Sequence, residues 1–282
     1  MTINGAVRTT ARNRIELIAM GTLVALSYWF VFASLVHQWV DDPNYTHGLF
    51  VIPMAGVLAW RRRDRWKSTP ATPSLWGLAA IAAGGSLYIV GVAAAELFTM
   101  RVSMVVSVSG LVLLTQGWPR TRLMVFPLAF LLFMVPVPYI FYYKLTFPLQ
   151  LLSSRLAAGV LSAMGMPIVL SGNVIHLEHY VLEVVTACSG LRSIMTLGAM
   201  GVFLVDLFRL RAVLKWVLIA MVIPVAILAN TVRLVTTAVV SAIAGAEAAD
   251  SFLHELSGVL VFLTGLMILI AVGKLMEWVD KR

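Results

Sequence analysis

Apolar residues run through this chain in long blocks rather than in strict alternation. Eight blocks approach the roughly 20 residues that a bilayer core requires. They are about Ile15–Val36, Gly48–Trp60, Leu75–Ala95, Val102–Leu114, Leu123–Phe141, Ser189–Phe208, Val213–Ala244 and Leu256–Met276. The second and fourth are short for a span, a shortfall met by tilting, by thinning the bilayer or by extension into the flanks. Most polar breaks between blocks are brief. The exception is an outer-side insertion at about 142–188, which opens just after Pro136-Val137-Pro138. Within it, the apolar stretch Leu145–Met164, carrying Arg155, reads as an interfacial helix. The β-branched residues around Ser171-Gly172-Asn173 read as a small hairpin. The pattern predicts an all-α polytopic membrane protein. It has about eight transmembrane helices, a β-hairpin and an interfacial helix before Cys188, in one integral membrane domain over 1–282.

Composition supports that class. The chain is 60% hydrophobic and 12% charged, about half the charge of a soluble domain. The net charge of +8 would suggest nucleic acid in a soluble protein. Here the cations sit in the breaks between blocks, so a nucleic-acid partner is not expected and membrane lipid is. Sixteen of the 21 basic residues fall on one side: Arg8, Arg12 and Arg14; Arg61, Arg62, Arg63, Arg65 and Lys67; Arg120 and Arg122; Arg209, Arg211 and Lys215; Lys274, Lys281 and Arg282. Arg101, Lys144 and Arg155 fall on the other, and Arg192 and Arg233 lie inside blocks. The positive-inside rule then places both termini in the cytoplasm of a multi-pass cell-membrane protein. The polar start, Met1 to Arg14, leads into a block long enough to stay, so no cleavable signal is expected.

The outward breaks hold the chemistry-capable groups. Cys188 is the only cysteine, which excludes an intramolecular disulfide framework. It sits in Ala187-Cys188-Ser189-Gly190-Leu191-Arg192-Ser193, where an apolar helix begins. Free N–H groups and the positive dipole end favour thiolate there; the plain alternative is an inert buried thiol. Arg233 lies about 20 residues along the seventh block, roughly 30 Å up a helix, with Asn230 three residues earlier on the same face. His254 precedes the eighth block. Three distant stretches thus bring Cys, Arg with Asn, and His to one depth on one side. An arginine within a span costs about 2.5–3.5 kcal/mol on insertion scales, so it has a task or snorkels to headgroups. Arg192 has the same two readings, one turn after Cys188. Asn230 reads equally as an interhelical hydrogen bond. His47, His176 and His179 share the outer side with His254 and compete as the base. Tyr45-Thr46-His47-Gly48 reads as a substrate-facing edge or as an interfacial aromatic and turn. Glu178-His179 with Glu183 is too loose for zinc, and neither a metal nor another cofactor is expected. These residue types suit acyl transfer: a thiolate attacks a carbonyl, an imidazole shuttles the proton, and a guanidinium receives the oxyanion.

At these residues the chain resembles the exosortase/archaeosortase family of membrane-embedded cysteine transpeptidases. The likeness rests on the Cys188 block, Asn230-Thr231-Val232-Arg233, and His254 before Glu255-Leu256-Ser257-Gly258. It extends to Tyr45-Thr46-His47-Gly48 leading into Trp60-Arg61-Arg62-Arg63, to Val135-Pro136-Val137-Pro138, and to Gly172-Asn173 with Glu183-Val184. The resemblance implies a substrate: exported proteins ending in a short motif, a transmembrane helix and a basic tail. They are cleaved near the motif, outside the cytoplasm, and passed to an anchor. It implies Cys188 as nucleophile, His254 as acid and base, and Arg233 as oxyanion or thiolate stabiliser. Asn230, Arg192, Ser189, Glu183 and His47 become supporting or substrate-binding groups. Two other classes stay open on the residues alone. One is a transporter or flippase binding an anionic substrate through Arg192 and Arg233. The other is an assembly factor holding partner helices through small residues such as those of Gly198–Gly201.

Overall fold

A computed structural model of the chain describes residues 19–178, 180–183, 191–249 and 257–281, with backbone alone at 142, 143, 145, 146, 191–194 and 257. Helices dominate, and they gather into two compact units, Met1–Pro136 and Val137–Arg282.

The first unit opens with α1 (Ala19–Ser27) and α2 (Trp29–Asp41), bent by 55° at Tyr28. The bend has a polar anchor. The Tyr28 hydroxyl is 2.9 Å from Ser107 Oγ and accepts a hydrogen bond from Ser103 Oγ at 3.1 Å. A short turn leads to α3 (Gly48–Trp60), the small basic helix α4 (Arg63–Ser68), α5 (Trp76–Ala93) and α6 (Leu97–Phe130). A 3₁₀ turn, Leu131–Met134, follows. Helices α5 and α6 form an antiparallel pair, and the sequence shows why. Gly77, Gly84 and Gly91 recur every seventh residue of α5 and are buried. A Cβ on any of them would collide, in order, with Leu114, Ser107 and Met100 of α6. Small residues at this spacing let two membrane helices approach backbone to backbone. Halfway along α6 the helix breaks at Gly117 (φ 76, ψ 176), two residues before Pro119. That φ is accessible to glycine at little cost, and a side chain would meet the Thr72 carbonyl. The Trp39 indole closes the far end of the unit by donating to the Met134 carbonyl at 2.9 Å.

The second unit begins with α7 (Tyr139–Ala163) and a three-stranded antiparallel sheet of β1 (Ile168–Ser171), β2 (Val174–Leu177) and β3 (Val181–Glu183). Ser171 pairs with Val174 across a two-residue turn. Gly172 takes φ 63 at its first position, as a type II′ hairpin requires. Ile175 and Leu182 point from the sheet into a core with Ala157 and Leu161 of α7. Leu234 and Ala238 complete that core from α9 (Ala212–Ala244). The remaining elements are α8 (Leu191–Leu207), which precedes α9, and α10 (Ser257–Asp280). The three share a second core that includes Leu197, Val222 and Leu269.

Among the described residues, four helical stretches are long and apolar enough to cross a membrane: Trp76–Ala93, Leu97–Met134, Ala212–Ala244 and Gly258–Asp280. The bent pair of α1 and α2 makes up to five. Each of the eight expected blocks contains helix among the described residues, but Gly48–Trp60 and α8 stay short, and the fourth and fifth are the two helices that meet at the Gly117 kink of α6. Several boundaries need correction. The first outer break is shorter than the sequence suggests, because His37 to Asp41 continue α2. Arg101 is not in a loop; it is the fifth residue of α6 and buried. The fifth block does not run to Phe141, since Pro136 and Pro138 part α6 and its 3₁₀ turn from a helix that restarts at Tyr139. The insertion and its helix therefore open earlier than 142 and 145. The third strand, β3, has only three residues, too few for a readable alternation.

Candidate active site

The site is built on the three-helix bundle of α8, α9 and α10, whose register is fixed by close contacts. A Cβ on Gly201 would strike Val222, and one on Gly265 would strike Leu197. Arg211, which caps α9, holds Asp280 at the end of α10 through an ion pair of 2.7 Å and a backbone N–H bond of 3.0 Å. So α8 and α10 run parallel and α9 runs against them. Counting from the Gly201–Val222 contact, Leu191 is ten residues back along α8 and Arg233 eleven residues on along α9. At 1.5 Å per residue these are about 15 and 16 Å, so the two lie level. Counting from Gly265–Leu197, Leu191 is level with Val259 of α10. The first turn of α8, the first turn of α10 and Arg233 therefore share one end of the bundle.

Arg233 confirms that level directly. It lines a cavity of about 220 Å³ together with Ala229, Val232 and Thr236 of α9 and Leu260 and Thr264 of α10. Its side chain is half-buried. One turn away Asn230 is fully buried, and neither atom of its amide finds a hydrogen-bond partner among the described residues. Two turns further Thr237 is also fully buried, with Oγ1 in the same condition. A buried polar group left unpaired costs about 1–3 kcal/mol, so this polar stripe on α9 is an expensive feature. The sequence brought out Asn230 and Arg233; Thr237 escaped it, because a threonine amid Leu, Val and Ala reads as an ordinary helix residue.

The other expected site residues divide by location. Cys188, Ser189 and His254 lie outside the described residues, as does His179. Arg192 is the second residue of α8. Glu183 ends β3, exposed and opposite Val174. His47 belongs to the first unit, immediately ahead of α3. Burial holds its imidazole below its ordinary pKa, only partly offset by the nearby carbonyls of Phe133 and Asn44. Burial thus favours the neutral imidazole, and the Tyr45 ring lies 6.5 Å away.

The first unit holds a second buried cation. Arg101 is 3% exposed. Its guanidinium donates to Gln38 Oε1 at 2.6 Å and to Ser34 Oγ at 3.4 Å, tying α6 to α2. Glu96 caps α6 by accepting from the N–H groups of Phe98 and Thr99 at 2.9 and 2.7 Å. Burial pushes the Glu96 carboxyl up, but those bonds and the charge of Arg101 outweigh it and hold it below its usual value. Gln38→Leu leaves the guanidinium without its shortest bond. It is expected to destabilise the protein by about 1.5–3 kcal/mol, read as a lower melting temperature by tryptophan fluorescence. Gln38→Glu, which restores an acceptor, is expected to recover most of the loss.

No curated protein and no solved structure matches the chain significantly. The family model described as transmembrane exosortase (Exosortase_EpsH) matches residues 39–271. That match takes in α3 through most of α10, the Asn230–Arg233 turn, and the segments that carry Cys188 and His254. With most of the chain matched, the chain belongs to the transmembrane exosortase family.

Proposed function

We propose that this chain is a membrane-embedded cysteine transpeptidase acting on exported proteins. Their C-terminal sorting signal is a short motif, a transmembrane helix and a basic tail. It works as one integral membrane domain of eight crossings, with both termini in the cytoplasm and the site on the extracytoplasmic face. Cys188 attacks the scissile carbonyl as thiolate, His254 having taken its proton. The carbonyl oxygen becomes an oxyanion beside the Arg233 guanidinium and the Asn230 amide. When it collapses, the C–N bond breaks and the new amine takes the proton from His254. The substrate is left as a thioester on Cys188. An acceptor nucleophile then attacks the thioester carbonyl, displaces the Cys188 thiolate and carries the protein to its anchor. Arg192 supports the thiolate, while Ser189, Glu183 and His47 contact substrate.

One observation supports this reading above the others: Arg233 is level with the starts of both α8 and α10. Leu191 comes three residues after Cys188, and Ser257 three residues after His254. The chain advances at most about 3.8 Å per residue, so both groups are within reach of the end that Arg233 occupies. Family membership gives the enzyme reading a ground that the transporter and assembly-factor readings lack. The experiment is to co-express a tailed exported protein with the wild-type chain and quench in acid. An enzyme–substrate adduct released by hydroxylamine, and absent from Cys188→Ala, is expected. Tail cleavage in wild type with no such adduct under any quench removes the covalent step.

A further inference from the structure

The sheet of the second unit has two edge strands, because its order is β1-β2-β3. The register shows which backbone groups each edge offers. The Leu177 N–H donates to the Tyr180 carbonyl at 2.8 Å, so these two form a bonded pair. Bonded and non-bonded pairs alternate along an antiparallel ladder. Leu182 opposite Ile175 is therefore bonded, while Val181 opposite His176 and Glu183 opposite Val174 are not. It follows that the N–H and C=O groups of Val181 and Glu183 point away from β2. Among the described residues no backbone partner meets them. Val181 is 57% exposed, whereas its neighbour Leu182 is buried in the core. Neither proline nor lysine, two usual protections of an edge strand, occurs in β3.

Donors and acceptors alternating at two positions, i and i+2, are matched by another extended backbone. A peptide about to be cut is extended at that point, since in a helix its N–H and C=O groups are already bonded to one another. Those freed groups need partners, and the β3 edge supplies them close to the nucleophile. Glu183 precedes Cys188 by five residues, at most about 18 Å of chain. We infer that the β3 edge, Val181 to Glu183, receives the extended segment of the exported protein beside its scissile bond as a fourth strand. The identity of the peptide rests on the transpeptidase reading; the open edge does not. Two residues of the guest bond to Val181 and Glu183. The guest residue between them turns its side chain to the face of Leu182, because successive side chains of a strand alternate.

The test uses the full-length Cys188→Ala chain co-expressed with the tailed exported protein, so that the two meet without a covalent step. Benzoylphenylalanine at position 181 is expected to crosslink to the exported protein. At position 169, in the same cross-strand row but on β1 and 67% exposed, it is expected not to. Proline then probes the backbone, which an edge strand admits where the N–H faces outward. With the photoprobe at position 183, Val181→Pro is expected to lower the crosslink about tenfold, the effect of one lost hydrogen bond. Val181→Ala, which keeps the N–H, is expected to retain it. So is Leu170→Pro, which removes an outward N–H from β1, since Leu170 opposite Ile175 is a non-bonded pair. Crosslinking from 169 as strong as from 181, or none from 181, overturns the inference. So does a Val181→Pro chain that melts and crosslinks like its parent. The comparison of 181 with 169 needs no proline, so it judges the edge even if Val181→Pro fails to fold. No readout involves cleavage or the thiol. A failed crosslink beside a wild-type thioester sinks the edge alone, and a crosslink without any thioester sinks the covalent reading alone.

Discussion

Cys188→Ala is expected to leave a co-expressed exported protein entirely at its precursor size, with the variant at wild-type abundance and melting temperature. The chain has no second thiol, so no neighbour can substitute for the nucleophile. Serine in its place retains the geometry but has a hydroxyl far harder to ionise than a thiol, and Cys188→Ser is expected to lose at least about a thousandfold in rate. Normal abundance matters to the argument. An inert buried cysteine replaced by alanine leaves a small cavity and a small loss of stability, with processing untouched. A catalytic one gives the reverse pattern. The single thiol also lets the face of the membrane be read. A membrane-impermeant maleimide added to intact cells is expected to label the wild type and nothing in the alanine variant. Labelling only after the cells are opened would put the site on the cytoplasmic face and reverse the topology proposed above. Normal processing by Cys188→Ala would end the nucleophile assignment.

Legibility in the sequence followed the physics of each element. The long apolar blocks were readable because a bilayer demands uniform hydrophobicity over a fixed length. The seventh block and α9 differ by one residue at their start, Val213 against Ala212. The hairpin was readable because Gly172 must supply a positive φ. What hydropathy does not encode is where a helix ends once the chain meets an interface. Thus α2 continues through His37 and Asp41, polar residues that a water-facing turn of helix tolerates, and α10 continues to Asp280, where Arg211 holds its last turn. Arg101 was misplaced for a related reason. A charge at the edge of an apolar block reads as loop, whereas here Gln38 and Ser34 supply neutral acceptors from 63 and 67 residues away. No local pattern announces such partners. The break at Gly117 was visible as a basic gap between two blocks, and two helices do meet there at a kink. At the candidate site, residue types and order were legible. Their common depth was legible too, from the charge bias and the helix rise; the glycine contacts that hold Leu191, Arg233 and Val259 level were not, because they join helices far apart in sequence.

Arg233→Gln is expected to cut processing by about 10²–10³-fold, the range for removing one oxyanion donor. Arg233→Lys, which keeps the charge but loses the planar fork, is expected to recover only part of it. A second readout separates the guanidinium's two roles. A cation near a thiol favours the thiolate and lowers its pKa, so removing the cation raises it. Alkylation of Cys188 by iodoacetamide at neutral pH is then expected to slow in Arg233→Gln, with its pH midpoint moved upward. Unchanged alkylation with lost processing would assign Arg233 to the oxyanion alone. Stability then distinguishes function from structure. An arginine in a spanning helix costs up to about 2.5–3.5 kcal/mol on insertion scales, and Arg233 sits half-buried amid Val232, Leu234 and Val235. If the guanidinium were there to hold the bundle together, its loss would lower the melting temperature, as breaking a buried polar contact does. If it is there for the reaction, glutamine relieves the membrane of a charge and the helix bundle should melt no lower than wild type. A variant as stable as its parent and nearly inactive is the expected result. One that processes normally would leave the cost of that arginine with no chemistry to offset it.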